Sequence, residues 1–359
     1  MPKIYEIYGT DAHYMTKKLM TESRVSDMIP ADALIVLKPN LVCASTAETG
    51  ATTHPGVLSG CIEYLQEAGF SDISVIEGSW VGEKTERAIR VCGYDRILEK
   101  YGIPFYDLKR DTVLNIETPF RTMEISERAM KAGFFIDLPV LKGHCQTLMT
   151  CALKNLKGCI PDSEKRRFHS DGLIKPIAAL SSVLKPSLVI VDSICGDLYF
   201  EEGGNPIQTN RMMLGTDAVQ IDAYGCSLMG LELREVPYIR LAEEWGAGSS
   251  EVRPEDIVKL NEPMESSGYP HLTGRVKSLT KNVTADSACS ACFASLVRAL
   301  YLAEKEGIKV REEISIGQGF KGKSINGTGI GRCCKDAKTH VNGCPPEPGN
   351  ILDMFRMLH

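Results

Sequence analysis

Apolar positions along this chain fall in short blocks separated by polar turns, and the blocks alternate between two periods. Ala33-Leu34-Ile35-Val36-Leu37 is an apolar run of strand length, broken by Lys38-Pro39-Asn40. Pro55 opens a stretch in which Leu58, Cys61, Ile62 and Leu65 share one helical face, and Gly69 ends it. Ser71 to Glu77 is strand-like again, so residues 33–78 predict a βαβ unit. Residues 83–100 then read as helix, Ile103 to Leu108 as strand, 111–126 as a two-stranded excursion and Glu127 to Ala132 as a short helix. Phe134 to Leu141 is a further strand. After it, Gln146 to Lys157 predicts a helix with Leu148, Ala152, Leu153 and Leu156 on one face and Gly158 at its end. Residues 173–184 (helix), Ser187 to Ile194 (strand), 197–210 (loop) and Met212 to Gly215 (strand) follow. Asp217 caps a helix that runs to Met229.

Strands alternating with helices imply an α/β fold: a largely parallel sheet with helices on both faces. Residues 1–250 form this domain, with a polar crevice at the strand carboxyl ends. Residues 251–284 are polar and read as a linker holding one strand, Ile257 to Leu260. Residues 285–359 form a small cysteine-rich α/β module. At 359 residues the chain easily buries a core, and its 43% hydrophobic and 24% charged residues are those of an ordinary globular protein.

A net charge of −5 gives no electrostatic case for nucleic acid. No apolar run approaches the roughly 18 residues of a membrane span, and MPKIYEIYGTDAHYM has no apolar signal region, so the expected location is the cytoplasm. Thirteen cysteines, an odd number in a long chain, point to reduced thiols and not to a disulfide framework. No GxGxxG follows the first strand and no Walker loop is present, so nucleotide-binding sites of those kinds are unsupported.

The densest chemistry lies at 134–169. Lys142 and His144 fall in the turn between a strand and the expected helix, at the sheet edge where open α/β folds bind ligands. A helix start there offers unpaired N–H groups to an anion. Lys142, His144 and His169 are the candidate catalytic residues. Lys38, Asn40, Lys154 and Lys165 are the candidate contacts to an anionic small-molecule substrate. A solvated helix face is the plainer reading of Lys157 or Lys165 taken alone. Asp217 and Asp222 suit a metal, although a helix cap explains Asp217 as well.

The C-terminal module carries Cys289-Ser-Ala-Cys292, Cys333-Cys334 and Gly343-Cys344-Pro345-Pro346. A CxxC pair places two thiolates on one turn, within reach of one metal centre. Cys289 begins an amphipathic stretch, and a helix N-terminus there favours the thiolate. The candidate ligands of a [4Fe–4S] cluster are Cys289, Cys292, Cys344 and one of Cys333 and Cys334. Zinc in a four-cysteine site and a metal-free redox CxxC are the alternatives. The remaining cysteines fit core positions, Cys145 beside His144 included.

The run LPVLKGHCQTLMTCALKNLKGCIP, with Lys165 and His169 after it, resembles the family called Domain of Unknown Function 362. Lys38-Pro39-Asn40, Thr53-His54-Pro55, Glu77-Gly78, Gly203-Gly204-Asn205-Pro206 and Gly215-Thr216-Asp217 with Asp222 extend the likeness over residues 34–230. That resemblance implies a fold and a site without a settled reaction. The ending GCPPEP is similar to the cluster-binding ending of the small subunits of nickel–iron hydrogenases and respiratory complex I, but here the CxxC lies upstream on its own helix. Together these features lead to the expectation of a cytosolic iron–sulfur redox enzyme acting on an anionic small molecule, with a ferredoxin-like electron donor as partner. Two other classes stand beside it. One is a proton-transfer enzyme with a structural cluster, similar in layout to nickel-dependent lactate racemases. The other is an electron carrier or cluster-delivery protein without a substrate.

Overall fold

The first strand, β1 (Ile4–Tyr8), lies in a segment that the periodicity left unassigned. It is followed by β2 (Ile35–Pro39), β3 (Ile73–Glu77) and β4 (Phe105–Asp107). The excursion at 111–126 is a hairpin of β5 (Val113–Ile116) and β6 (Met123–Ser126), paired antiparallel. Then come β7 (Phe134–Leu138), a short antiparallel pair β8 (Lys142–His144) and β9 (Leu148–Thr150), β10 (Leu188–Asp197), β11 (Pro206–Gly215) and β12 (Ile257–Lys259). β13 (Val283–Ala285), β14 (Ile314–Ile316), β15 (Ile325–Ile330) and β16 (Ala337–Val341) complete the strands of this computed structural model, which describes residues 3–264 and 275–358.

Two compact units result. The first takes the described residues of Met1–Ser79, Glu83–Glu164 and Ile174–His271; the second those of Trp80–Gly82, Lys165–Leu173 and Leu272–His359. In the first unit eight strands form one sheet in the order β12-β1-β11-β10-β7-β2-β3-β4. Every neighbouring pair is parallel except those made by β11, which runs antiparallel to β1 and β10. The fold is therefore the α/β class that the alternating pattern implies. All five residues of each of β2, β3 and β7 are buried, as strands covered on both faces require. The helix Pro55–Glu67 buries Leu58, Cys61, Ile62 and Leu65 completely, the face its spacing predicts. Each such side chain contributes about 1.5–3 kcal/mol of apolar burial.

Two expectations are corrected. The helix expected over Gln146–Lys157 is instead the β8–β9 pair, one helical turn at Ala152–Asn155 and a 3-10 turn at Leu156–Cys159. The cause is tertiary. The N–H groups of Gln146 and Thr147 donate to His144 Nδ1, at 3.1 Å each, instead of continuing a helix. The buried carboxylate of Asp222 takes the N–H of Ala152 at 2.7 Å and so fixes a later helix start. Second, the loop read over 197–210 is short: β10 runs on to Asp197 and β11 begins at Pro206. The strand expected at Ile257 to Leu260 is β12, which pairs with β1 in the large sheet; the expected linker's residues 265–274 lie outside the described residues.

The second unit is a four-stranded sheet, β13-β14-β15-β16, with every pair parallel. Ser290–Lys305 and Pro348–Leu358 are its long helices, and they bury Phe293, Leu296, Val297, Ile351 and Phe355. No described helix is long and apolar enough to cross a membrane.

Candidate functional site

The carboxyl edge of the large sheet carries a dense buried charge network. Lys38 near the end of β2 lies in register with Asp137 of β7, and its Nζ stands 2.8 Å from Oε2 of Glu77 at the end of β3. Adjacent parallel strands thus bring one lysine between two carboxylates. Lys38 and Asp137 are fully buried and Glu77 nearly so. Burial disfavours the Lys38 charge, but the carboxylates outweigh that cost and leave its pKa raised. Burial also pushes the Asp137 carboxyl up to about 7 against the pull of Lys38. A methyl on Gly158 would overlap the Glu77 carboxylate and crowd Lys38 Nζ, so only glycine lets the chain cover this pair.

A second group is built on the segment that follows β7. Lys142 Nζ donates to Asn40 Oδ1 (3.2 Å), to the Glu201 carbonyl (2.8 Å) and to the Ala51 carbonyl. Asn40 Nδ2 donates to Asn155 Oδ1 (2.9 Å), and Asn155 Nδ2 to Asp137 Oδ1 (2.8 Å), which joins the two groups. The Glu201 carboxylate is held by Lys154 Nζ and, at 3.2 Å, by His144 Nε2. Burial holds the Lys142 ammonium down at about 8 and the His144 imidazole at about 4. Burial works against the Glu201 charge too, but Lys154 and His144 overcome it and hold that carboxyl well below its usual range.

His144, an expected proton carrier, is held between the backbone and a carboxylate. Nδ1 accepts two backbone N–H groups and Nε2 faces a carboxylate. Accepting through Nδ1 leaves the proton of a neutral ring on Nε2, which stands 3.2 Å from Glu201 Oε2.

Beside this group the Glu202 carboxylate is buried, and neither of its oxygens has a hydrogen-bond partner. Burial raises Glu202 to about 8, and likewise Asp222 to about 8. These acids, with Asp137, stay protonated in the fold far above the pH at which the unfolded chain ionises. The stability they contribute is complete below the ordinary carboxyl range and is lost as pH rises through about 7 to 8. Thermal melts should therefore fall between about pH 7 and 8, above the range in which the unfolded His144 ring sheds its proton, and Glu202→Gln should flatten that decline.

The sequence singled out Lys38, Asn40, Lys142, His144 and Lys154, and the structure brings all five to this edge. Lys165 and His169 belong to the second unit instead. What sequence reasoning missed is the acidic half of the network. Glu201 and Glu202 sit in a loop between two strands, directly before Gly203-Gly204, and that placement was the available signal. Asp217 and Asp222 are caps: Asp217 takes the N–H of Val219 and Gln220. A separate hollow of about 170 Å³ on the first unit is lined by Glu48, His54, Asp192, Cys195 and Gln208 among others. There Asp192 accepts the His54 N–H at 2.7 Å, and His54 Nδ1 caps its helix through Gly56.

The second unit repeats the carboxyl-edge rule on a smaller scale. Cys289 follows β13, Gly317 and Gln318 follow β14, Cys333 follows β15 and Cys344 follows β16. Because all four strands are parallel, these turns gather at one edge. They line one cavity of about 400 Å³ that also meets Cys292, one turn into its helix, and the cations Arg166, Lys321, Arg332 and Lys335. His169 Nε2 accepts the Ser290 N–H at 3.4 Å, next to the CxxC.

The adjacent cysteine pair divides. Cys333 lines the cavity, whereas Cys334 is fully buried, and its sulfur takes backbone hydrogen bonds from Gly317 and Ile330. Cys289 stands at the N-cap of Ser290–Lys305, the helix start its spacing predicts, while at Cys292 burial and the neighbouring cysteines push the thiol pKa up. Burial raises Cys333 too, against the pull of Lys321, Arg166 and Arg332. Among the described residues no three His, Cys, Asp or Glu side chains stand close enough to share one ion. A multinuclear cluster bonds each thiolate to a different iron, so its ligands stand farther apart than those of one ion. Four thiols line the cavity, the donor type that iron–sulfur clusters and four-cysteine zinc sites both use.

A thylakoid-associated protein of Synechocystis is 26% identical over 226 residues, covering 59% of this chain and 68% of that one. Among solved structures, the lactate racemase apoprotein of Thermoanaerobacterium thermosaccharolyticum matches with a TM-score of 0.43 at 12% identity, over 63% of this chain. A protein from Thermotoga maritima matches with a TM-score of 0.40 at 13% identity, over 66% of this chain. The match spans 56% and 59% of those two chains. Residues 35–227, more than half of the chain, match one family model, and the protein belongs to the family described as domain of unknown function 362.

Proposed function

We propose that this protein is an iron–sulfur oxidoreductase for an anionic small molecule. The observation that carries the reading is the gathering of Cys289, Cys292, Cys333 and Cys344 around one cavity. A [4Fe–4S] cluster there would supply one-electron chemistry, and the four thiols would hold it. Arg166, Lys321, Arg332 and Lys335 offset the charge that four thiolates carry. These same cations, on a chain of net charge −5, suit an acidic, ferredoxin-like electron donor. On the first unit, Lys142, His144 and Lys154 supply the donors for the anion, and in the folded chain they already hold one.

Reducibility separates this reading from a structural metal. Anaerobically purified full-length protein should show a broad visible absorption that dithionite bleaches and air restores. A colourless protein, or one whose colour is indifferent to dithionite, would show that the thiols serve zinc or structure alone.

A further inference from the structure

The loop between β10 and β11, residues 198–205, is fastened at its neck and pushed into the charge network at its tip. Asp197 closes the neck: Oδ1 accepts the N–H of Tyr199 (2.8 Å) and Phe200 (2.6 Å), and Oδ2 that of Asn205 (2.5 Å). Gly203 and Gly204, at φ +80° and +107°, turn the chain back after Glu202. At the tip, Glu201 presents one carboxylate oxygen to the Lys154 ammonium and brings the other within 3.2 Å of His144 Nε2, while its carbonyl meets Lys142.

The Lys142 and Lys154 side chains and the His144 ring are at least 98% buried, in a segment far from the loop in sequence. They form a receptor first, and Glu201 is its guest. Two donors face two oxygens of one planar group, a match to a carboxylate. Asn40 and Ala51 keep two Lys142 protons, and a ligand that displaces Glu201 frees the third, now given to the Glu201 carbonyl, so Lys142 supports the guest from beside its two oxygens. The guest is seated at a cost: inserting Glu201 also buries the neighbouring Glu202 carboxylate with no hydrogen-bond partner. A loop bound in that way is displaceable.

We propose that Lys142, His144 and Lys154 form a binding site for a ligand carboxylate, and that Glu201 of the 198–205 loop fills it until such a ligand displaces it. This rests on the anion-binding half of the proposed function and names its substrate class as carboxylates. A tethered guest competes at an effective concentration on the order of millimolar, so a minimal ligand must be supplied at about tens of millimolar.

The test is hydrogen–deuterium exchange of the full-length protein with sodium acetate, against sodium phosphate and sodium chloride at equal ionic strength. Acetate should raise exchange of residues 198–205 saturably, several-fold, and chloride should not. Glu201→Ala should bind acetate at least tenfold more tightly than the parent chain. If the parent's loop is unmoved by acetate, the proposal is overturned, even where Glu201→Ala takes acetate, because that variant's cavity is then only a product of the substitution. If phosphate moves the loop as well as acetate does, the carboxylate class falls and the anion site stands. If neither anion binds parent or variant, the anion-binding half of the proposed function falls with it. The cluster reading is untouched by any of these outcomes, since it is read from colour and iron.

Discussion

Cys333→Ser should strip the iron from anaerobically purified protein, whereas Cys334→Ser should leave it in place. The two residues are neighbours in sequence and have opposite surroundings. Cys333 lines the cavity shared with Cys289, Cys292 and Cys344, while Cys334 is fully buried and already takes backbone N–H groups. A serine at a ligand position removes the soft thiolate that iron–sulfur clusters require. A serine at Cys334 keeps an acceptor for the Gly317 and Ile330 hydrogen bonds and costs only packing. Iron analysis of the two variants, with circular dichroism to confirm folding, reads the contrast directly. Equal loss in both would show that the pair acts by packing, and loss in Cys334→Ser alone would invert the assigned ligand set.

Lys38→Met should destabilise the protein by about 3–5 kcal/mol, the cost of leaving a buried carboxylate without its cation. The melting temperature should fall by on the order of 10 °C. Lys38 is fully buried and its ammonium stands 2.8 Å from Glu77. The double change Lys38→Met with Glu77→Leu should recover most of the loss, because replacing both partners of a buried pair by apolar groups is often neutral. Asp137 limits the damage, since without Lys38 it simply stays protonated, the direction in which burial already drives it. The sequence suggests a different role, a lysine held out to an anion, in which case the melt would be unchanged and ligand binding lost. Thermal melts of the single and double variants distinguish the two.

The comparison of these lysines shows what one chain's sequence makes legible. Positions are local: Lys38 ends an apolar run, Lys142 breaks one, and both therefore fall at the carboxyl edge, where the structure puts them. Partners are not local. Glu77 and Glu201 lie 39 and 47 residues from the lysines they meet, and no periodicity records such pairings. The segment at 146–157 fails for the same reason. Its apolar spacing is helical, but His144 and Asp222 capture the N–H groups that a helix would need. The first strand is illegible in the pattern because it carries a fully buried Glu6, which tertiary contacts with Tyr224 and Arg211 accommodate. In the second unit the cysteine spacing makes a gathering of thiols legible, and Cys289, Cys292, Cys333 and Cys344 do line one cavity. The choice between Cys333 and Cys334 depends on which way a 3-10 turn after β15 faces, and that is a property of the folded sheet.

Iron, acid-labile sulfide and zinc, measured per chain on the full-length protein purified without air, test the central claim most directly. Four cavity-lining thiols holding one [4Fe–4S] cluster predict about four iron and four sulfide with no stoichiometric zinc. One zinc per chain without sulfide, in colourless protein, would contradict it.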